Sequence, residues 1–209
     1  MFARRNFLAS AIGLTAVSVA PMAWAQEAAA PAPAVEIPDM MLGNPDAPVT
    51  VIEYASFTCP HCANFSETVF KDLKRDYIDT GKIKYIHREV FFDRYGLWAT
   101  MVARCGGEMR YFGIADRLYA TQKDWIDTKN PANIADNLRK IGLSSGMDAA
   151  QLDACLQDNA QAQALVNWYS ENAKRDEINS TPSFLINGEK YSNMDYAELS
   201  KILDEKLGG

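Results

Sequence analysis

Two cysteines separated by a proline and a histidine, Cys59-Pro60-His61-Cys62, constrain this chain more than any other segment. If Pro60 opens a helix, Cys59 is its N-cap and Cys62 lies one turn on. The two sulfurs then share a face, within the ~4.4–6.8 Å Cα spacing that a disulfide tolerates. Proline at the first helical position loses no hydrogen bond, because that N–H would have no partner anyway. Cys59 faces the free N–H groups of His61 and Cys62 and the positive end of the helix dipole. Both favour the thiolate, which is the reactive species. The chemistry this arrangement points to is thiol–disulfide exchange.

The flanking pattern supports that geometry. Val49 to Phe57 is a short β-rich run, of the kind found in a buried central strand, and it feeds directly into Cys59. From Ala63 to Tyr77 the residues Phe65, Val69, Leu73 and Tyr77 recur every fourth position, the apolar stripe of an amphipathic helix that Gly81 ends. Lys82 to Phe92 alternates like a second strand through Ile83 and Tyr85. This β-α-β order predicts the cysteine pair at a strand's carboxyl end, where α/β folds gather their chemistry.

Between Asp93 and Asp176 the pattern becomes helical. Leu97, Trp98, Met101, Val102 and Cys105 form one apolar face. Asn130-Pro131 starts a helix through Ile134, Leu138 and Ile141 that Gly142 is expected to stop, and Leu152, Cys155 and Leu156 form a further short face. Beyond the insert, Ser183 to Ile186 reads as a strand, Asn187-Gly188 as a hairpin turn, and Glu189 to Tyr191 as its partner. Asp195 to Leu207 closes as a helix.

Residues 1–25 read as a signal peptide: Arg4 and Arg5, an apolar stretch to Ala20, and a small-x-small end at Ala23-Trp24-Ala25. The adjacent arginines leave the general and the twin-arginine routes both open. Residues 26–38 are rich in alanine and proline and read as a disordered tether. Removing residues 1–25 takes away two arginines and no acid, moving the formal net charge from −6 to −8, with 19 basic residues against 27 acidic. That balance excludes a basic nucleic-acid-binding stripe. The remainder is long enough for a sizeable core.

Each candidate site residue has a plain alternative. For Cys59 and Cys62 it is a stabilising disulfide, but a two-residue loop leaves little chain entropy to remove. A zinc site needs four ligands, and His61 and His87 are poorly suited to complete one; His87 reads as a surface-strand residue. His61 is either a solvated helix-start residue or, beside Cys59, a group that favours the thiolate. Glu53, the sole charge in its strand, is either solvent-facing or a buried acid that exchanges a proton with Cys62, its pKa raised towards neutrality. Thr181-Pro182 is either an ordinary turn or a backbone edge for an extended peptide. Cys105 and Cys155 are either two buried thiols or, as export and an even cysteine count favour, a structural disulfide.

With these anchors in order, Glu53, the Cys59-Pro60-His61-Cys62 motif and Ser180-Thr-Pro-Ser-Phe184 around a helical insert, the chain resembles the DsbA family from about Met41 to Leu207. The resemblance implies an α/β, thioredoxin-like fold, residues 39–92 and 177–209, with an inserted all-helical domain, residues 93–176. It implies an exposed nucleophile at Cys59, a buried partner at Cys62, and a cis-proline at Pro182 facing them, with Thr181 beside it. It further suggests Lys84 as a charge near Glu53, although a solvated strand lysine is the simpler reading. The implied activity is that of a soluble periplasmic protein-disulfide oxidase acting on reduced exported polypeptides. A DsbB-type membrane protein coupled to quinone would reoxidise it. No small-molecule cofactor and no metal are expected, and the chain is expected to act as a monomer. Two features depart from the best-known members: threonine in place of valine before Pro182, and the second cysteine pair. The competing readings are a disulfide isomerase or reductase, for which residues 26–40 are too short to supply a dimerisation domain, and a CxxC metal carrier.

Overall fold

A five-stranded sheet in the order β1-β3-β2-β4-β5 organises the computed structural model, which describes residues 35–127 and 129–209. The expected signal peptide and most of the expected tether lie outside the described residues. β1 (Met40–Gly43) is an edge strand that the sequence reading did not resolve. β2 (Val49–Ala55) is central, and its side chains at Val49, Val51, Tyr54 and Ala55 are buried, as a strand covered on both faces requires.

The helix expected to open at Pro60 and continue to Tyr77 is broken. It comprises α1 (Pro60–Glu67), α2 (Val69–Leu73) and a π-helical turn at Lys74–Ile78, with the interruption at Thr68. Its stripe of Phe65, Val69, Leu73 and Tyr77 is nevertheless buried throughout. β3 (Ile83–Glu89) returns parallel to β2, with Val51 beside Tyr85 and Glu53 beside His87.

Helices α3 (Arg94–Cys105), α4 (Glu108–Ala120), α5 (Gln122–Trp125), α6 (Ala132–Ser144), α7 (Ala149–Leu156) and α8 (Asn159–Arg175) follow. Aspartates cap three of them. Asp93 accepts from the Tyr95 and Gly96 amides, Asp148 from those of Ala150 and Gln151, and Asp158 from that of Gln161. α3 turns Ala99, Val102 and Ala103 to the core, whereas Leu97 and Trp98 of the expected face are only half-buried. Gly142 does not end α6, which continues to Ser144. A Cβ at Gly142 would lie 2.6 Å from Leu152 Cδ2, so glycine here admits α7, and the left-handed residue is Gly146, at φ 81°.

β4 (Ser183–Ile186) pairs antiparallel with β2 and with β5 (Glu189–Ser192). Asn187 and Gly188, at φ 50° and 84°, supply the turn, as an Asn-Gly hairpin requires. α9 (Tyr196–Leu207) begins at Asp195, which accepts from the Glu198 amide. Two large apolar cores result, beside a smaller one at Tyr54, Val90 and Leu185. One joins Phe65, Leu73, Leu199 and Leu203 of α1, α2 and α9 to Tyr85 and Phe184 of the sheet. The other joins Phe57 and both cysteines to Tyr111, Leu118, Trp125 and Ile134 of the helical segment. The redox motif therefore sits in the seam between sheet and helices.

Candidate active site

Cys59 is the N-cap of α1, with extended backbone at φ −86° and ψ 119°, and Pro60 opens the helix. Its amide donates to the Ser56 carbonyl at 3.1 Å, and its carbonyl accepts from Ala63 at 3.1 Å. Both cysteines are thiols in this structure. Cys59 is 8% exposed and Cys62 is fully covered, so the nucleophile is less open than the resemblance implied. Gln122 bonds its carbonyl, the Thr181 carbonyl lies 3.5 Å from its sulfur, and Phe57 belongs to the same apolar core.

The two thiols differ sharply. The Cys59 thiol is held down at about 5, chiefly because the Cys62 thiol donates a hydrogen bond to its thiolate. Burial opposes this, while the Thr181 side chain and the amides of Cys62 and His61 reinforce it. Cys62 is pushed far above the ordinary thiol range by burial, by its bond to Cys59 and by the nearby Glu53 charge. The Cys59 thiol also lies 3.5 Å from the Thr181 carbonyl, to which it donates. The Thr181–Pro182 peptide bond is cis.

Glu53 is buried and not solvent-facing. The Tyr85 hydroxyl donates to its carboxyl group. Burial pushes its pKa up to about 8, the tyrosine bond offsets part of this, and charge on Cys59 adds to it. Lys84 cannot be its partner. In parallel register Glu53 shares a face with Tyr85 and His87, and Lys84, one residue off, points to the other side of the sheet.

His87 corrects the surface reading most clearly, since it is 3% exposed. Ile83, Tyr85, His87 and Glu89 have one parity, so the alternation that buries Ile83 buries His87 as well. Its Nδ1 bonds the Tyr111 hydroxyl at 2.7 Å, its Nε2 the Tyr119 hydroxyl at 3.2 Å, and its ring stacks on Phe57. Burial lowers its pKa to about 4, which keeps the imidazole neutral. Tyr111 donates onward to Glu89 at 2.7 Å, and Arg104 of α3 clamps Glu89 with two bonds of 2.7 Å. Burial acts to raise the Glu89 pKa, but the Arg104 guanidinium outweighs it and holds the carboxyl below the usual range. Apart from the parity of His87, no local signal in the sequence marks this network, because its members come from β3, α3 and α4.

A cavity of about 30 Å³ lies against Glu53, Tyr85, His87 and Tyr119, and reaches Asp116 of α4. That is room for about one or two waters among polar partners. Larger clefts of about 350 Å³ flank the motif. One is bordered by Pro60, Asn64, Gln122 and Lys123, the other by Thr58, Tyr95, Ile126 and Ile134. Cys105 and Cys155 are joined by a disulfide between the ends of α3 and α7, with Cα atoms 5.9 Å apart. Among the described residues no three His, Cys, Asp or Glu side chains form a metal-holding group, and no helix is long and apolar enough to cross a membrane.

Comparison with known proteins bears on the family and the fold. The family model described as thioredoxin matches residues 36–205. A Rickettsia bellii protein named for protein-disulfide oxidoreductase activity is 34% identical over 169 residues, which cover 81% of this chain and 64% of that protein. The chain thus spans less than two thirds of that relative's length. Disulfide bond formation protein D of Bacillus subtilis is 24% identical, over 81% of this chain and 77% of its own. The crystal structure of alpha-DsbA1 from Wolbachia pipientis superposes with a TM-score of 0.75 at 30% identity, covering 83% of this chain and 94% of that one.

Proposed function

The chain belongs to the thioredoxin family and has the DsbA-type fold, and on that premise we propose that it is a protein-disulfide oxidase working through Cys59 and Cys62. The observation that carries this reading is the asymmetric placement of the pair: Cys59 caps the start of α1, where its thiolate is favoured, and Cys62, one turn on, is fully covered and held protonated. A substrate thiolate attacks Cys59 Sγ of the oxidised pair, the Cys59–Cys62 bond breaks, and Cys62 departs as thiolate. Glu53, protonated at neutral pH, is the group that gives Cys62 its proton, and the cavity beside it offers water through which Glu53 is resupplied. A second substrate thiolate then attacks the substrate sulfur of the mixed disulfide and expels Cys59, whose low pKa makes it a good leaving group. The substrate has lost two electrons and the enzyme has gained them. The redox group is the cysteine pair itself, so the reaction calls for no further cofactor.

Thr181 lies beside the nucleophile with Pro182 after it, a backbone edge on which an extended polypeptide docks as an added strand. His61 is the remaining motif residue and contributes its amide to the Cys59 site. The substrates we propose are reduced exported polypeptides, in the periplasm, with a DsbB-type quinone-coupled membrane protein as reoxidant. The signal-like residues 1–25 and the family resemblance support that setting. A CxxC metal carrier would have to find its remaining ligands outside the described residues.

The test is a thiolate titration of the reduced protein by ultraviolet absorbance, with redox equilibration against glutathione. One thiol should titrate near pH 5, and the pair should oxidise glutathione. Two ordinary thiols titrating near ~8.5 would remove the basis of the proposal.

A further inference from the structure

Gln122, the first residue of α5, reaches the redox loop from the helical segment. Its side-chain nitrogen donates to the Phe57 carbonyl at 2.8 Å and to the Cys59 carbonyl at 3.0 Å. Both partners can only accept, so the amide must present its NH2 group to them. The residue is 6% exposed. Neither bond belongs to regular secondary structure. Phe57 lies past the end of β2, and the Cys59 carbonyl already accepts from the Ala63 amide of α1.

We propose that Gln122 is a positioning residue for Cys59, which sets the stability of its thiolate from the helical segment. Two effects act together. The NH2 group opposes the negative ends of two carbonyl dipoles, one on Cys59 itself and one two residues before it, and these would otherwise disfavour an anion at the sulfur. The same bonds hold the loop so that Cys59 stays at the start of α1, where the amides of His61 and Cys62 lower its pKa. Glu53 from β2, His61 from α1 and Tyr119 from α4 also act at the pair, and Glu67 of α1 with Lys123 and Asp124 of α5 border the adjoining cleft. None changes when Gln122 alone is replaced, so their contributions cancel in a comparison of variants.

This inference rests on the redox reading of Cys59 and Cys62, and the experiment separates the two. Gln122→Leu removes the donor at similar size, and Gln122→Glu replaces it with a carboxylate. Full-length reduced proteins are titrated by thiolate absorbance, equilibrated with glutathione and melted. Gln122→Leu should raise the Cys59 midpoint by about half to one pH unit, and Gln122→Glu by more. The equilibrium constant for oxidising glutathione should fall about three- to tenfold, because one pH unit of thiolate stabilisation is a factor of ten. A merely structural glutamine would lower the melting temperature and leave midpoint and constant unmoved, which overturns the inference. Failure of both variants to fold overturns it too, since the amide is then a prop of the fold. If the parent protein does not exchange with glutathione at all, the redox reading itself fails. If the parent exchanges and the variants match it, only the role of Gln122 fails.

Discussion

Glu53 and His87 stand beside each other on the parallel strands β2 and β3 and line the same cavity of about 30 Å³. Burial pushes their pKa values in opposite directions, the acid up to about 8 and the imidazole down to about 4. Both are therefore uncharged at neutral pH. The site keeps a proton available on Glu53 without a buried ion pair to hold it there, and an adjacent imidazolium would have pulled that proton off.

Glu53→Gln should change how stability depends on pH. In the oxidised protein neither Cys59 nor Cys62 titrates, and burial still raises the Glu53 pKa. With Cys59 charge absent, burial alone still holds the folded Glu53 carboxyl above the ordinary range, whereas the unfolded chain loses the proton near ~4.3. Between the unfolded and folded pKa values the folded state binds more protons, so stability falls as pH rises, by up to ~1.4 kcal/mol per pH unit. Gln removes this slope. His87, with its folded pKa below the unfolded value, contributes the opposite slope between about 4 and 6.5, but it is common to both proteins and cancels in their difference. Urea unfolding at several pH values measures this, and a constant difference between variant and parent would mean that the Glu53 carboxyl is not perturbed.

Arg104→Met should cost ~3–5 kcal/mol, because it leaves the Glu89 carboxylate buried with only the Tyr111 hydroxyl to solvate it. The double change Glu89→Leu, Arg104→Met should recover much of that loss, since the buried charge is gone. A double-mutant cycle in urea reads the coupling directly. Additive losses would show that the clamp between β3 and α3 is energetically inert.

Replacing Cys105 and Cys155 together by alanine should lower the melting temperature and leave the glutathione equilibrium of the redox pair unchanged. The bond spans a sequence separation of 50 residues, for which the chain-entropy model gives at most ~4 kcal/mol. Cys105 ends α3 and Cys155 lies in the last turn of α7, where the helix dipole disfavours a thiolate. A shifted redox equilibrium in the double variant would reveal traffic between the two pairs.

Gly142→Ala sets two effects against each other. Alanine gains ~1 kcal/mol of helix propensity over glycine. The new methyl would meet Leu152 Cδ2 at 2.6 Å and Met147 Cε at 2.8 Å, and overpacking costs ~1–3 kcal/mol. Both contacts are side-chain tips that can shift, so the net expectation is a loss of about 1 kcal/mol. A stabilised variant in thermal melts would mean that α6 and α7 are less tightly apposed than described.

What is encoded within a few residues could be read from the chain alone. Cys59 to Cys62, the proline at the helix start, the four-residue stripe from Phe65 to Tyr77 and the Asn187-Gly188 turn each depend on neighbours in sequence. Their order led to the fold class. Local patterns erred where a tertiary contact decided the outcome, as when α7 packed on Gly142 and made a presumed helix stop into an interhelical contact. His87 is an intermediate case. Its parity with Ile83 and Tyr85 was visible, but only the helical segment closing over β3 makes that face an interior one.

The sequence by itself determined most of the elements, the redox motif at a strand-to-helix junction and the class of chemistry, because backbone periodicity and capping act over one or two turns. Only the tertiary structure decided which groups surround that motif. Tyr85 on Glu53, Arg104 on Glu89 and Gln122 on the carbonyls of Phe57 and Cys59 are separated by 32, 15, 65 and 63 residues along the chain. These contacts set the electrostatics of the site, since a buried charge or dipole is governed by whatever lies within a few ångströms in space, and spacing in the sequence carries no record of that.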